Sequence, residues 1–122
     1  MTINNKLLPL YAAMAPFVVW PIEYFMPFPY IVEELVKVLL VKNAQSFKMA
    51  IIIGAMFAFS ESIFFLTPLI AQGSFALILV RLLITGALHT LTSIAYFKQG
   101  WKALIWTIPL HFGYNLWLVN KY

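Results

Sequence analysis

The sequence contains no cysteine and no aspartate. The first absence excludes disulfide frameworks, thiolate metal sites and cysteine nucleophiles. The second leaves carboxylate chemistry to four glutamates: Glu23, Glu33, Glu34 and Glu61. Charge is scarce altogether, at 10% of residues, where a soluble domain carries roughly 25%. Hydrophobic residues reach 63%, against roughly 45–50% in soluble domains, and mean hydropathy is +0.90. A globule of 122 residues in water cannot bury so much apolar surface, because small domains leave a large share of their area exposed. An ordinary soluble enzyme, a disordered tail and a nucleic-acid binder are thereby excluded, and the natural solvent for the chain is a bilayer. The net charge of +4 does not alter this. The eight basic residues are scattered, mostly near the ends of apolar runs, as in basic cytoplasmic loops.

Five apolar segments are present, over about 7–22, 28–41, 49–71, 75–97 and 102–119. The expected fold is all-α: a polytopic helical membrane protein, one domain over 1–122 with about five membrane-embedded helices. Segments three and four have full spanning length, since a crossing takes about 20 residues. Segment two is short and carries Glu33, Glu34 and Lys37. Lys6 before an apolar run suggests a signal peptide, but the run continues past Ala13-Met14-Ala15, where cleavage is expected, so segment one is read as retained.

Five crossings put Lys6, Lys42, Lys48, Lys98 and Lys102 on one side, and Glu23, Gln72-Gly73-Ser74 and Lys121 on the other. The excess of basic residues marks the first side as cytoplasmic, N-terminus inside. Trp20, Tyr24, Phe28, Tyr30, Trp117 and Tyr122 fit an outer aromatic belt, Tyr96 and Trp101 an inner one. Pro21 to Tyr30, with three prolines and four aromatics, reads as an interfacial loop.

The polar residues inside the apolar segments carry the chemistry. Glu33, Glu34, Glu61, Arg81, His89 and His111 all lie there. A charge near a bilayer centre costs about 2.5–3.5 kcal/mol, so such groups face the bundle interior, pair, or line a wet cavity. Residues four apart share a helix face. Glu33 with Lys37, Phe57 with Glu61, Arg81 with Thr85, His89 and Ser93, and His111 with Asn115 therefore form one polar stripe per helix. Glu61, His89 and His111 fall in the middle of their segments, while Glu33, Glu34 and Arg81 fall nearer the outer face. Two chemistries fit. A buried glutamate acts as general base on water with a histidine partner, or two histidines and a glutamate, Glu61, His89 and His111, hold zinc and acidify bound water. Both lead to hydrolysis. Asn115 is placed to supply an oxyanion donor. The His-Glu-x-x-His zinc motif is absent.

The blocks Glu33-Glu34-Leu35-Val36-Lys37, Gly54-Ala55-Met56-Phe57-Ala58-Phe59-Ser60-Glu61, Arg81…His89-x-x-x-Ser93 and His111-x-x-x-Asn115 resemble those of the PrsW-type intramembrane proteases. These are similar to the wider CAAX-endopeptidase and abortive-infection superfamily. The resemblance covers about residues 33–115 and implies a prokaryotic plasma-membrane protease acting on a membrane peptide or protein. It implies Glu33 as catalytic glutamate with Glu34 in support. Glu61, His89 and His111 would complete the water or metal centre, and Asn115 the oxyanion site. Lys37 and Arg81 would act as partners of the carboxylates behind the reacting groups, with Phe57 and Ser93 part of the same blocks. The chain is much shorter than typical members, so a minimal enzyme or a homo-oligomer is expected.

Each feature also has a structural reading. Glu33 and Glu34 are a charge pair favoured by a helix start, Glu61 a salt-bridge partner of Arg81 or Lys37, the histidines interhelical hydrogen bonds, Gly54 and Gly86 close-packing positions. The alternative function is a non-catalytic membrane protein on the same scaffold: a self-immunity factor, or a proton or ion pathway using the same glutamates and histidines.

Overall fold

The computed structural model describes residues 4–71, 73 and 75–119. All regular structure among them is helical. Gln72, Ser74, Lys121 and Tyr122, assigned above to the outer side, lie outside the described residues, as does the side chain of Glu23.

A short 3-10 turn, Asn5–Leu7, leads into α1, Leu8–Glu23. Pro9 sits in the first turn of α1, where a missing N–H costs no helical bond. Pro16 and Pro21 lie inside the helix. The stretch from Pro21 to Tyr30 is therefore not one loop. Pro21 belongs to α1, and Pro29 opens α2, Pro29–Val41, where its fixed φ suits a helix start. Only residues 24–28 connect the two.

The third helix, α3, is Phe47–Ala71; the Ser46 hydroxyl accepts the Met49 N–H at 3.1 Å and caps its start. Gly73, at φ +69°, turns the chain into α4, Phe75–Gln99. Gly100, at φ +59°, ends α4 in the left-handed conformation that glycine adopts without cost. A 3-10 turn, Gly100–Ala103, then delivers α5, Leu104–Val119. At ~1.5 Å per residue, α3 and α4 are each about 37 Å long and α2 about 20 Å. Helical stretches within Phe47–Phe64 and Phe75–Leu118 are long and apolar enough to cross a membrane by length and composition.

Consecutive long helices return antiparallel, which gathers the lysines at one end. There the Asn5 amide donates to Gln45 at 3.1 Å, Phe47 meets Phe97 edge-on at 6.2 Å, and Lys42 lies over Trp101 at 5.3 Å. The apolar core occupies this half: Leu8, Ala12 and Ala15 of α1, Val38 and Val41 of α2, Ala50, Ile53 and Phe57 of α3, Ala95 of α4. Gly54 sets the closest approach of α3 and α4. A Cβ there would stand 2.6 Å from the His89 carbonyl oxygen and 2.7 Å from Thr90 Cα. Gly86 is not a close-packing position, since a Cβ there would meet nothing within 4 Å. It lines an open groove between α3 and α4 instead.

Candidate functional site

Large apolar side chains such as Val18, Phe59, Leu83, Leu91 and Ile105 face outwards, while Glu34, Lys37, Glu61, Thr85, His89, Thr92, Ser93, Thr107 and His111 are buried beside the apolar core. Buried polar groups demand partners, and Glu34, Glu61, Thr85 and Thr107 each find one on another helix.

Glu34 of α2 is fully enclosed. Its Oε1 accepts Lys37 Nζ at 2.5 Å, one helical turn away, and Tyr96 of α4 donates its hydroxyl hydrogen to Oε2. His111 of α5 brings Nδ1 to 2.8 Å from Oε1. Behind these, Lys37 Nζ reaches Thr92 Oγ1 at 3.3 Å, and the Tyr96 hydroxyl shares a hydrogen bond with Thr107 Oγ1. The Lys37 ammonium also stands 5.2 Å over the Phe57 ring. One carboxylate thus ties three helices together.

The opposite edge of the His111 ring faces a second cluster. His111 Nε2 is 3.3 Å from Glu33 Oε2, and the Glu33 side chain retains 14% exposure. Glu61 of α3 pairs with His89 Nε2 of α4. His89 stacks on Phe57 at 5.7 Å and meets His111 edge-on at 5.4 Å. One ligand atom each from Glu61, His89 and His111 lies within 4.8 Å of the others. A carboxylate oxygen and two imidazole nitrogens are ordinary zinc donors, so the residues present fit a divalent cation.

Of the residues singled out in the sequence, Glu33, Glu34, Lys37, Phe57, Glu61, His89 and His111 converge here. Ser93 is fully buried one turn along α4 from His89. Asn115 is half-buried one turn beyond His111, and the Glu34 network does not extend to it among the described residues. Arg81 lies two turns before His89, beside Ser62 and Leu66 in a small cleft. Both Glu34 and Glu33 reach the His111 ring, Glu34 at Nδ1 and Glu33 at Nε2.

Tyr96, Thr92 and Thr107 were not expected here. Tyr96 is not an interfacial aromatic; it is 1% exposed, because an enclosed carboxylate requires its hydroxyl. A signal was present in the spacing. Thr92 with Tyr96, and Thr107 with His111, extend the four-residue polar steps of α4 and α5. Lower on the same two helices, Thr85 and Tyr114 share a buried hydrogen bond.

An open apolar groove of about 440 Å³ runs between α4 and α5, lined by Leu88, Leu91, Leu110, Gly113 and Tyr114 among others. The groove between α3 and α4 measures about 450 Å³ and includes Ala55, Ala58 and Gly86. No family model, curated protein or solved structure matches the chain. The reading of the centre therefore rests on its own geometry.

Proposed function

We propose that this chain is an intramembrane endopeptidase that hydrolyses a peptide bond in a membrane-embedded or juxtamembrane substrate, using water activated at the Glu33–Glu61–His89–His111 centre. The observation that carries the reading is the convergence of Glu61, His89 and His111, from three helices, to within 4.8 Å inside a bundle whose outer surface is apolar. Charged and imidazole groups so placed are expensive to insert in hydrocarbon and mark sites of function. Five embedded helices with the N-terminus inside are part of this reading, and the lysine-rich end and the outward apolar faces support it.

Glu61, His89 and His111 would hold a divalent cation, zinc being the ordinary ion for this donor set. The donor set supports it: Glu61 already pairs with His89, and Glu33 faces His111, so carboxylate oxygens and imidazole nitrogens stand together at the centre. Such an ion, when bound, acidifies water and polarises a carbonyl. The protein's own groups supply the rest. Glu33, partly exposed and facing His111 Nε2, accepts the proton of the attacking water and delivers it to the leaving amine. Asn115, one turn from His111, offers an amide to the developing oxyanion.

The test is cleavage of synthetic apolar helical peptides co-reconstituted with the purified protein in lipid vesicles, read by mass spectrometry. Wild type is expected to yield defined fragments, with Glu33→Gln and His111→Ala reducing the rate at least about 100-fold, the lower range for removing a general base. Fragments that persist in both variants contradict the proposal.

A further inference from the structure

Glu33 and Glu34 are neighbours in sequence but stand on opposite edges of one imidazole ring. Glu34 Oε1 is 2.8 Å from His111 Nδ1, and Glu33 Oε2 is 3.3 Å from His111 Nε2. From this bracketing we infer that Glu34 is a positioning residue, and that with Lys37, Tyr96 and Thr107 it fixes His111 with the ring proton on Nδ1 and the Nε2 lone pair turned into the Glu33–Glu61–His89 centre. The inference deepens the proposed function and rests on the same centre.

The hydrogen-bond roles decide the tautomer. An ammonium has no acceptor, so Lys37 donates to Oε1. Tyr96 donates to Oε2. Both oxygens therefore act as acceptors, as an ionised carboxylate does. A contact of 2.8 Å between a carboxylate oxygen and a ring nitrogen is a hydrogen bond only if the nitrogen carries the proton, so Nδ1 is the donor. In the neutral ring Nε2 is then the lone-pair nitrogen, the atom able to ligate.

Rigidity follows from the same network. Glu34 is held from its own helix by Lys37 and from α4 by Tyr96. Tyr96 is in turn held from α5 by Thr107, the residue one turn before His111. The ring is thus oriented by a carboxylate that is itself pinned at both oxygens. This arrangement of carboxylate behind histidine characterises metal-ligating imidazoles. It also separates the labour of the two glutamates. Glu34, saturated with donors and enclosed, is unsuited to take a proton from water, whereas Glu33 retains access.

The test is 15N NMR of histidine-labelled, metal-free protein in detergent at alkaline pH. Wild type is expected to show His111 protonated at Nδ1. Glu34→Ala is expected to lose that preference, and Tyr96→Phe to weaken it while leaving His89 unmoved. Tyr96→Phe keeps the ring volume and provides the readout if Glu34→Ala does not fold. A parallel titration with zinc alone is expected to show 10–100-fold weaker binding in Glu34→Ala, the usual loss on removing the partner of a ligating histidine, and a smaller loss in Tyr96→Phe. A wild-type His111 protonated at Nε2, or a tautomer unchanged by both variants, overturns the inference. Peptide cleavage is not the readout. Loss of the tautomer with cleavage intact removes only this inference, and a fixed tautomer with no cleavage removes only the protease.

Discussion

His111 Nδ1 lies 2.8 Å from Glu34 Oε1 across 77 positions of sequence, and this contact joins the second helix to the fifth. The Glu34 carboxylate is fully enclosed and its charge is met mainly by Lys37. Removing one partner of a buried ion pair leaves an uncompensated charge and costs about 3–5 kcal/mol. Lys37→Met is therefore expected to destabilise the protein by that amount. Lys37→Met combined with Glu34→Gln, which removes both charges, is expected to recover most of it. Unfolding in mixed micelles of increasing denaturing-detergent fraction measures both. Equal stability of Lys37→Met and wild type contradicts the enclosed pair.

Gly54 makes a second prediction. A methyl group there would press on the backbone at His89 and Thr90, which cannot rotate away as a side chain does. Gly54→Ala is expected to force α3 from α4 at a cost of about 1–3 kcal/mol or more, the usual range for overpacking. Because Glu61 and His89 face each other across that contact, zinc affinity is expected to fall with it. Gly86→Ala, which meets open space, is expected to leave both unchanged. The two variants measured side by side by calorimetric zinc titration check this.

Much of this arrangement was legible in the sequence, for physical reasons. Helices follow from long apolar runs, and polar stripes at four-residue steps pointed to Glu61, His89 and His111 because charge in an apolar segment has to face inwards. The role of Glu34 was not legible. Period alone cannot tell which of two adjacent glutamates is enclosed, since that depends on what stands opposite. Tyr96 was misread for a related reason: an aromatic with a hydroxyl suits both a membrane interface and a buried carboxylate. Pro29 looks like a loop residue in the sequence, although proline suits a helix start and here begins one.

The absence of cysteine makes the proposed topology directly testable. Single-cysteine variants at Asn43, between α2 and α3, and at Gln99, at the end of α4, are expected to react with a membrane-impermeant maleimide only from the cytoplasmic side. Gly73→Cys, in the turn between α3 and α4, is expected to react only from outside. Labelling of Gln99→Cys and Gly73→Cys from the same side contradicts the crossing of α4.

Zinc content measures the centre itself. Elemental analysis of detergent-purified wild type beside Glu61→Ala, His89→Ala and His111→Ala is expected to find close to one zinc per chain in wild type and little in each variant. Arg81→Ala, two turns away on α4, is expected to retain it. Wild-type protein that takes up no zinc when supplied with it, or variants that hold as much as wild type, would contradict the metal centre on which the proposed hydrolysis depends.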